Sequence, residues 1–574
     1  MIAKMTQYSF ILLHGDKEQF LTELQGLGVV DITRAAKPVD SYSQSLMDNI
    51  KTLREDIGCT EKGMDDTLDG LLAVRDALVR DIRDAKPWGD YDRERLNAFG
   101  LHFYRVADKK YDPAWEEQYA IQVVCEEGGD RWFVVVGDNA GFPVKELTVP
   151  QHTVAELEVL LQEQEEKIAA HRKVLEARKA DIPQMQHEIR VLEGELDRYL
   201  AATAAVPAAE NTVDTLVGFA PTECDAAVTD CLDRAAVYYI KNEATLEDNP
   251  PIKLKNNKFI KMFEVLTDMY GRPAYDEFDP TPILGPFFLL FFAMCMGDAG
   301  YGLLLILIGW FLKKKVPSMA DMGPLVSTLG VATFLVGIVL HTFFGIDLYT
   351  AGWVPQWLKA VMVSGSVAGY DAQMVLAVGI GVFHICLATV VKAVCFTKRF
   401  GFAKCISTWG WTLLIVGSVI TGGLALLGVI DTPAVKAILI GIGIVSGVSI
   451  FLLNDLKRNP LINVGSGLWE TYNTVTGLMG DVLSYLRLYA LGLAGGMLGS
   501  TFNTLADMVV GLPVPGLNIL LFVALLLIGH ALNLALSCLG AFVHPLRLTF
   551  VEYFKNSGYE GTGRTYHPLK TSNK

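Results

Sequence analysis

Gly480-Asp-Val-Leu-Ser-Tyr-Leu-Arg-Leu-Tyr-Ala-Leu-Gly-Leu-Ala-Gly495 sets one arginine, Arg487, inside a long apolar segment. A guanidinium keeps its proton at every accessible pH, and holding it at a bilayer centre costs at least roughly 2.5–3.5 kcal/mol. The next and last apolar segment carries a second arginine, Arg547. Ionisable residues inside membrane segments mark ion or substrate paths. The chain therefore reads as a polytopic membrane protein whose best-placed membrane charges are cationic.

Apolar residues make up 51% of the 574, and they are unevenly spread. Residues 1–280 are rich in Glu, Asp, Lys and Arg, whereas Pro282 to about Leu548 is almost entirely Leu, Ile, Val, Gly, Phe and Ala. A soluble half joins a membrane half. The net charge of −14 lies mostly in the soluble half and argues against a nucleic-acid partner. The first thirty residues lack the sections of a signal peptide, so the soluble half is expected in the cytosol. Nine cysteines without metal-ligand spacing read as reduced thiols, and neither metal nor cofactor is expected. No G-x-x-x-x-G-K-[ST] run occurs, which speaks against a P-loop nucleotide site.

Within the soluble half, Lys4 to His14 alternates like a strand, Asp16 is placed to cap a helix through Leu24, and Gly28–Thr33 reads as a second strand. Apolar residues at 46, 50, 53, 57, 64, 68, 71, 78 and 82 approach a coiled-coil seam. Val154, Leu157, Leu161, Ile168, Leu175, Ile182, Met185, Ile189, Leu192, Leu196 and Tyr199 give a cleaner heptad repeat. Gln164, His171 and Arg178 interrupt that seam, and Pro183 is expected to kink it. Strand-like Tyr119–Val124 and Trp132–Val136 lie between the helical runs, and Thr212–Ala220 with Val237–Ile240 follows them. The pattern predicts an antiparallel coiled-coil arm over 1–280. Its helices fall at about 44–85 and 151–200, with α/β lobes at about 1–40, 95–148 and 212–250. A membrane domain over 281–556 and a cytosolic tail over 557–574 complete the chain.

Apolar segments run near 282–313, 324–347, 373–396, 405–429, 433–453, 469–511 and 516–549. Lys313-Lys-Lys315, Lys398-Arg399 with Lys404, and Lys457-Arg458 are basic connections. Connections near 347–372, 430–433 and 511–516 have almost no positive charge. The positive-inside rule puts the basic connections in the cytosol. Since the soluble half is also cytosolic, 282–313 must enter and return as two short helices, broken at Gly297-Asp-Ala-Gly-Tyr-Gly302. That gives eight transmembrane segments with both termini cytosolic. The last two exceed the ~20 residues needed to span, so they should tilt or project.

Asp298 at the break, with Glu470 and Asp481 ahead of Arg487, are candidates for lining water-filled half-pathways or pairing with the arginines. A structural cap is the alternative for Asp298; His384, the other buried titratable group, is a candidate for proton transfer, with packing as its alternative. Asp481 lies roughly 120° round the helix from Arg487, too far for a direct pair. Gly492/Gly496 and Gly495/Gly499 permit close helix approach. Asn533, Gly540 and Arg547, seven apart, fall nearly on one stripe, with His530 and His544 off it. An arginine cannot carry a proton, but it can strip one from a passing carboxyl. The carrier acid therefore belongs to a partner.

Four motifs, in order, resemble subunit I (subunit a) of the A/V-type rotary ATPases and ATP synthases. They are Asn256–Ile260 with Tyr270-Gly271 and Tyr275, Phe292–Gly302, Ser484–Ala494, and His544-Pro-Leu-Arg-Leu548 with Glu552 and Phe554. The resemblance, which covers nearly the whole chain, implies that Arg487 is the essential ion-gating arginine and Arg547 the second channel arginine. Ser484, His530, Asn533, Ser537, His544 and Glu552 are further candidates for the ion path, and Gly492, Gly495, Gly496 and Gly499 are candidates to face the ring; the family's roles at Gly495 and Ser537 themselves are not carried over. Where the eukaryotic pattern has a histidine and an acid, this chain has Gly495 and Ser537. The implied partners are a proteolipid c-ring (the K/c proteolipids), the E and G proteins of the peripheral stalk, the C/d protein of the central stalk and, indirectly, the A/B catalytic sector. A prokaryotic plasma membrane is the implied location. Two other readings are a secondary transporter with a cytosolic rod, which would transport alone, and a membrane-anchored scaffold, which would tolerate loss of both arginines.

Overall fold

The computed structural model describes residues 2–34, 40–89, 99–137, 142–147, 152–208, 210, 212–315, 322–367, 369–453, 460–510 and 517–571. The basic connection Lys457-Arg458 and the connection 511–516 lie outside the described residues. The chain divides into two compact units. One comprises Met1–Ser9, Val217–Asp230 and Tyr239–Pro568; the other comprises Phe10–Leu216, Cys231–Tyr238 and Leu569–Lys574. The strands are β1 (Met5–Leu13), β2 (Asp31–Ile32), β3 (Leu101–Ala107), β4 (Ile121–Glu127), β5 (Asp130–Val136), β6 (Val206–Ala208), β7 (Val213–Pro221) and β8 (Tyr238–Glu243). One sheet has the order β2-β7-β1-β8, with β6 also on β7.

In the second unit, α1 (Lys17–Leu27) begins after Asp16, whose side chain makes no capping hydrogen bond. Asp16 has helical backbone angles, so its carboxylate is not aimed at the helix amides as the expected cap would be. Gly28–Thr33 yields only the two-residue β2. The first helical run is two helices, α2 (Ser41–Lys62) and α3 (Asp66–Ala85), separated at left-handed Gly63. The second is α4 (Val154–Arg178), a 3-10 turn over Lys179–Asp181, and α5 (Ile182–Thr203), with Pro183 in the first turn of α5. Pro is tolerated there because the first amides of a helix have no intrahelical acceptor.

α2 packs along α5, where Tyr42 meets Tyr199 edge to face and Arg54 pairs with Glu193. α3 packs along α4 through buried Leu68, Ile168 and Leu175. The polar interruptions of the seam are satisfied rather than idle. Gln164 donates to the Leu71 carbonyl at 3.1 Å, and His171 Nε2 lies 2.9 Å from Asp65. The lobe is an antiparallel sheet β3-β5-β4 around Tyr104, Val106, Phe133 and Val135. Its edge strand β3 is absent from the expected strands because Leu101–Ala107 mixes His, Arg and Tyr with its apolar residues.

α6 (Asp225–Arg234) precedes β8, and in the first unit the described apolar residues form eight helices of sixteen residues or more. They are α7 (Thr281–Met296), α8 (Ala299–Lys315), α9 (Gly323–Val339), α10 (Ala372–Phe400), α11 (Ile406–Leu426), α12 (Thr432–Phe451), α13 (Pro460–Val510) and α14 (Leu517–Arg547). α10 to α14 are long and apolar enough to cross a membrane, whereas α7 and α9 are apolar but shorter. At 1.5 Å per residue the 51 residues of α13 run about 77 Å, far beyond a hydrocarbon core of about 30 Å. The break in the first apolar segment falls at Gly297, which is left-handed (φ 61°). A turn of six residues with π-helical hydrogen bonding, Leu548–Tyr553, extends α14 and carries Glu552.

Glycines spaced by seven, Gly302 and Gly309 on α8 with Gly323, Gly330 and Gly337 on α9, bring those two helices into backbone contact. A Cβ on Gly302 would lie 2.5 Å from the Phe334 nitrogen, and one on Gly330 would lie 2.7 Å from the Ile306 nitrogen. Small residues are how helices associate where lipid supplies no hydrophobic drive.

Asp65 both caps α3, accepting from the Leu68 amide at 2.8 Å, and holds His171 of α4. Burial opposes its ionisation, but the amide and the histidine outweigh that and hold its carboxyl below the ordinary value. Replacing Asp65 with Ala should cost about 1 kcal/mol and speed amide exchange over the first turn of α3. The same protection should be full above the ordinary carboxylate range and fade as pH falls below about 4. Hydrogen exchange of the full chain checks both.

Candidate functional site

Arg487 is half-buried on α13, with one guanidinium nitrogen, Nη1, shielded and without a hydrogen-bond partner. Leu483, Ala490, Ala494, Met497 and Thr501, at steps of three and four about it, are all exposed. Arg487 is thus the one cation on an outward stripe. On α14 a second stripe, Leu532, Leu536, Leu539, Val543, Arg547 and Val551, is exposed throughout. α13 and α14 pack together, and His544 lies within the electrostatic reach of both arginines. Asn533 and Arg547 do not share a face as expected, since Asn533 is buried and Arg547 exposed. A straight helix drifts about 20° per heptad, and packing separates the two ends of the stripe further.

Asp298 is 1% exposed and fully engaged. Its Oδ1 accepts from the amides of Gly300 (2.8 Å), Tyr301 (3.2 Å) and Phe344 (2.8 Å), and its Oδ2 from that of Gly345 (2.8 Å). The carboxylate caps α8 and rivets the loop after α9, a small hairpin of β9 (Thr342–Phe343) and β10 (Ile346–Asp347), onto the helix break. No arginine pairs with this carboxylate among the described residues, and the cap is the alternative the geometry favours.

That rivet places Tyr301 in a polar chain between helices. Asn533 Nδ2 donates to the Tyr301 hydroxyl (2.8 Å) and to the Gly495 carbonyl (2.9 Å). The Tyr301 hydroxyl meets His530 Nδ1 at 2.9 Å, and His530 Nε2 meets Asn503 Oδ1 at 3.0 Å. Asn503 in turn donates to the Phe344 carbonyl. Ser537 donates to Asn533 Oδ1 at 3.3 Å. His530, set apart from Asn533 on the sequence stripe, is joined to it through Tyr301, a residue of another helix.

The four glycines of α13 face the chain's own elements rather than outward. A Cβ on Gly492 would lie 2.6 Å from the Met294 carbonyl, one on Gly495 3.2 Å from Ser537 Oγ, one on Gly496 3.5 Å from Thr342, and one on Gly499 3.1 Å from Gly345 Cα. In place of the ring-facing role expected of them, they admit α7, α14 and the β9–β10 loop. The small residues that do face outward are Ala490 and Ala494.

Two cavities open along α13 on either side of Arg487. One, of about 250 Å³, is lined by Glu470, Asn473, Asp481, Lys392, Lys555 and Asn556 among others. The other, of about 350 Å³, is lined by His341, Asp347, Asp371, Gln373, Tyr489 and Gly492 among others. Asp481 is buried and accepts from Asn556 Nδ2 at 2.7 Å, with no ion pair to Arg487 among the described residues. Glu552 is 2% exposed beside Ser484, and its Oε2 has no hydrogen-bond partner. His384 is held for packing: its Nδ1 meets the Tyr485 hydroxyl at 2.9 Å and its ring stacks on Tyr553 with centroids 4.6 Å apart. His341, Asp347, Asp371, Lys392 and Tyr489 are not among the sequence candidates. His341, Asp347 and Asp371 lie in connections or at a helix start, and Lys392 and Tyr489 lie inside α10 and α13; no periodicity singles any of them out.

Residues 138–339 match the V-type ATPase 116kDa subunit family. The chain is 32% identical over 352 residues to A-type ATP synthase subunit I of Methanocaldococcus jannaschii, covering 57% of this chain and 50% of that one. It is 27% identical to V-type ATP synthase subunit I 1 of Treponema pallidum, over 87% of this chain and 84% of that one. It is 25% identical to V-type ATP synthase subunit I of Borreliella burgdorferi over the whole of both. The chain spans about half the length of the archaeal relatives it matches.

An Asp298→Asn change would turn amide hydrogens toward backbone amides and break at least one of four charge-assisted bonds, each worth about 1.5–3 kcal/mol. The variant should melt earlier in detergent and expose the 341–347 loop to protease. Wild-type melting and protection with lost ion transport would make Asp298 a path residue instead.

Proposed function

We infer that this chain, a homologue of subunit I of the A-type and V-type ATP synthases, is the membrane stator of a rotary ATPase and couples ion flow to rotation of a partner ring. The observation that carries this reading is the placement of Arg487: alone on an outward apolar stripe, between two separate polar cavities. From Asp481 to Arg487 is about 9 Å along the helix axis.

A ring of proteolipid helices, each with one membrane carboxylate, would pass along the outward stripes of α13 and α14, where Ala490 and Ala494 leave room. A nearby guanidinium lowers a carboxyl pKa by about 1 to 3. A ring acid reaching Arg487 therefore gives up its ion and stays charged while it crosses. One cavity serves as the cytosolic half-path, with Glu470, Asp481, Ser484 and Glu552 at or near its inner end; the other serves the outer side. Because Arg487 cannot hand on a proton, ions cannot short-circuit from one cavity to the other and must ride the ring. Arg547, with His544 beside it, extends the positive field along α14. Asn533, Ser537 and His530 hold α14 in register with α13 behind the stripe.

Topology follows from charge. Arg399 at the end of α10 pairs with Asp276 just before α7, so the basic end of α10 lies with the approach from the soluble half. Exposed Trp353 and Trp357, each 72% accessible in the connection before α10, suit the opposite interface. α7 and α8 enter and return, giving eight membrane segments and cytosolic termini in a prokaryotic plasma membrane. The helical arm of 1–280 would take the E and G proteins of the peripheral stalk, with the C/d protein of the central stalk and the A/B sector completing the complex.

ATP-driven ion uptake by vesicles holding the assembled complex tests this. Arg487→Ala should abolish uptake with assembly intact, and Arg487→Lys should fail to restore it because an ammonium lacks the planar, permanently charged fork. Normal uptake by both variants would falsify the reading.

A further inference from the structure

We propose that His341 is the proton-exchanging group at the outer mouth of the translocation path, with Asp347 and Gln373 fixing its state. This rests on the reading above, and names the group by which the outer cavity meets its ion.

His341 lines the outer cavity, is about a quarter exposed, and sits on backbone of left-handed conformation (φ 55°) at the end of α9. A histidine rarely takes that conformation. Here it turns the ring into the cavity, while its own amide still bonds the Ile338 carbonyl and its carbonyl accepts from Leu348. The ring is held by Gln373 through Nε2, and its Nδ1, close to Asp347, makes no hydrogen bond. Gln373 Nε2 lies 3.1 Å from His341 Nε2 and 3.2 Å from the Leu340 carbonyl. The second contact fixes that nitrogen as the amide's donor end, so His341 Nε2 is the acceptor and the neutral ring carries its hydrogen on Nδ1. His341 Nδ1 is 2.9 Å from Asp347 Oδ1. One ring nitrogen, Nε2, is thus occupied by the Gln373 amide, and the other stands beside a carboxylate.

The charged and titratable neighbours come from several elements. Asp347 is on β10, Asp371 caps α10, and Tyr489 reaches the same cavity from α13. The Tyr349 ring stands 6.3 Å from that of His341, with the Lys359 ammonium 5.9 Å from the centre of the tyrosine ring. Asp347 and Asp371 are the carboxylates lining the cavity, and the Lys359 ammonium stands over the Tyr349 ring. A proton arriving in the cavity binds Nε2 as the Gln373 amide swings aside, and imidazolium pairs with the Asp347 carboxylate. The proton then leaves from the same nitrogen to outer water, and no other bond changes. Asn, which tolerates left-handed backbone better than most residues, can replace His341 without strain but cannot titrate.

The test is ATP-driven uptake by the assembled complex in sealed vesicles with the outer face inward, at interior pH set between 5.5 and 8. Wild type should show a step in rate across this range. H341N should lower uptake about tenfold and remove the step, with the complex still assembled. A wild-type rate and profile for H341N overturns the proposal, as does uptake carried by sodium without an interior-pH step. Should H341N fail to assemble, D347N decides: loss of the carboxylate should move the step to lower pH, and an unmoved step overturns the proposal. Arg487→Ala runs alongside. If it still pumps, the rotary reading itself fails; if it is dead while H341N is normal, only the assignment of His341 fails.

Discussion

The four amide bonds to Asp298 are the constraint on which the membrane unit depends. Breaking a helix inside an apolar segment strands the first amides of the following helix, and hydrocarbon offers no water to satisfy them. Asp298 takes those of Gly300 and Tyr301 and, with its remaining lone pairs, those of Phe344 and Gly345. One side chain therefore closes the helix break and pins the β9–β10 loop to it. The pinned loop brings Gly345 against Gly499, and the capped helix aims Tyr301 at His530 and Asn533.

From that rivet the rest of the interior follows. The Tyr301 chain ties α14 to α13 and to the loop, so neither long helix is free to rotate behind its outward stripe. Fixing those rotations keeps Arg487 and Arg547 outward and sends the glycines of α13 inward. A charge in hydrocarbon is tolerable only where polar surroundings or a partner charge meet it. The cavities on either side of Arg487 supply the first of these.

Much of this architecture is written in the sequence. The positive-inside expectation for Lys313–Lys315, set against a soluble half expected on the same side, calls for a broken segment, and Gly297-Asp298 is its place. The long final helices and their arginines are equally plain, because composition and length alone decide them. The seven-residue spacing of Gly302 and Gly309 against Gly323, Gly330 and Gly337 is legible too, although no charge beside them singles them out as Arg487 does its own glycines. The direction those latter glycines face is not legible, because a small residue permits close approach without saying what approaches.

The sequence by itself determined that the chain has a charged soluble half, a broken first membrane segment, and two long apolar helices with one arginine each. Those are properties of a run of residues, and free energies of transfer act on them locally. Only the tertiary structure decided that Asp298 gathers four backbone amides, that His530 and Asn533 meet through Tyr301, and that His341, Asp347 and Asp371 share a cavity. These depend on contacts between residues far apart in the chain, and no periodicity along one helix encodes the rotation of its neighbour.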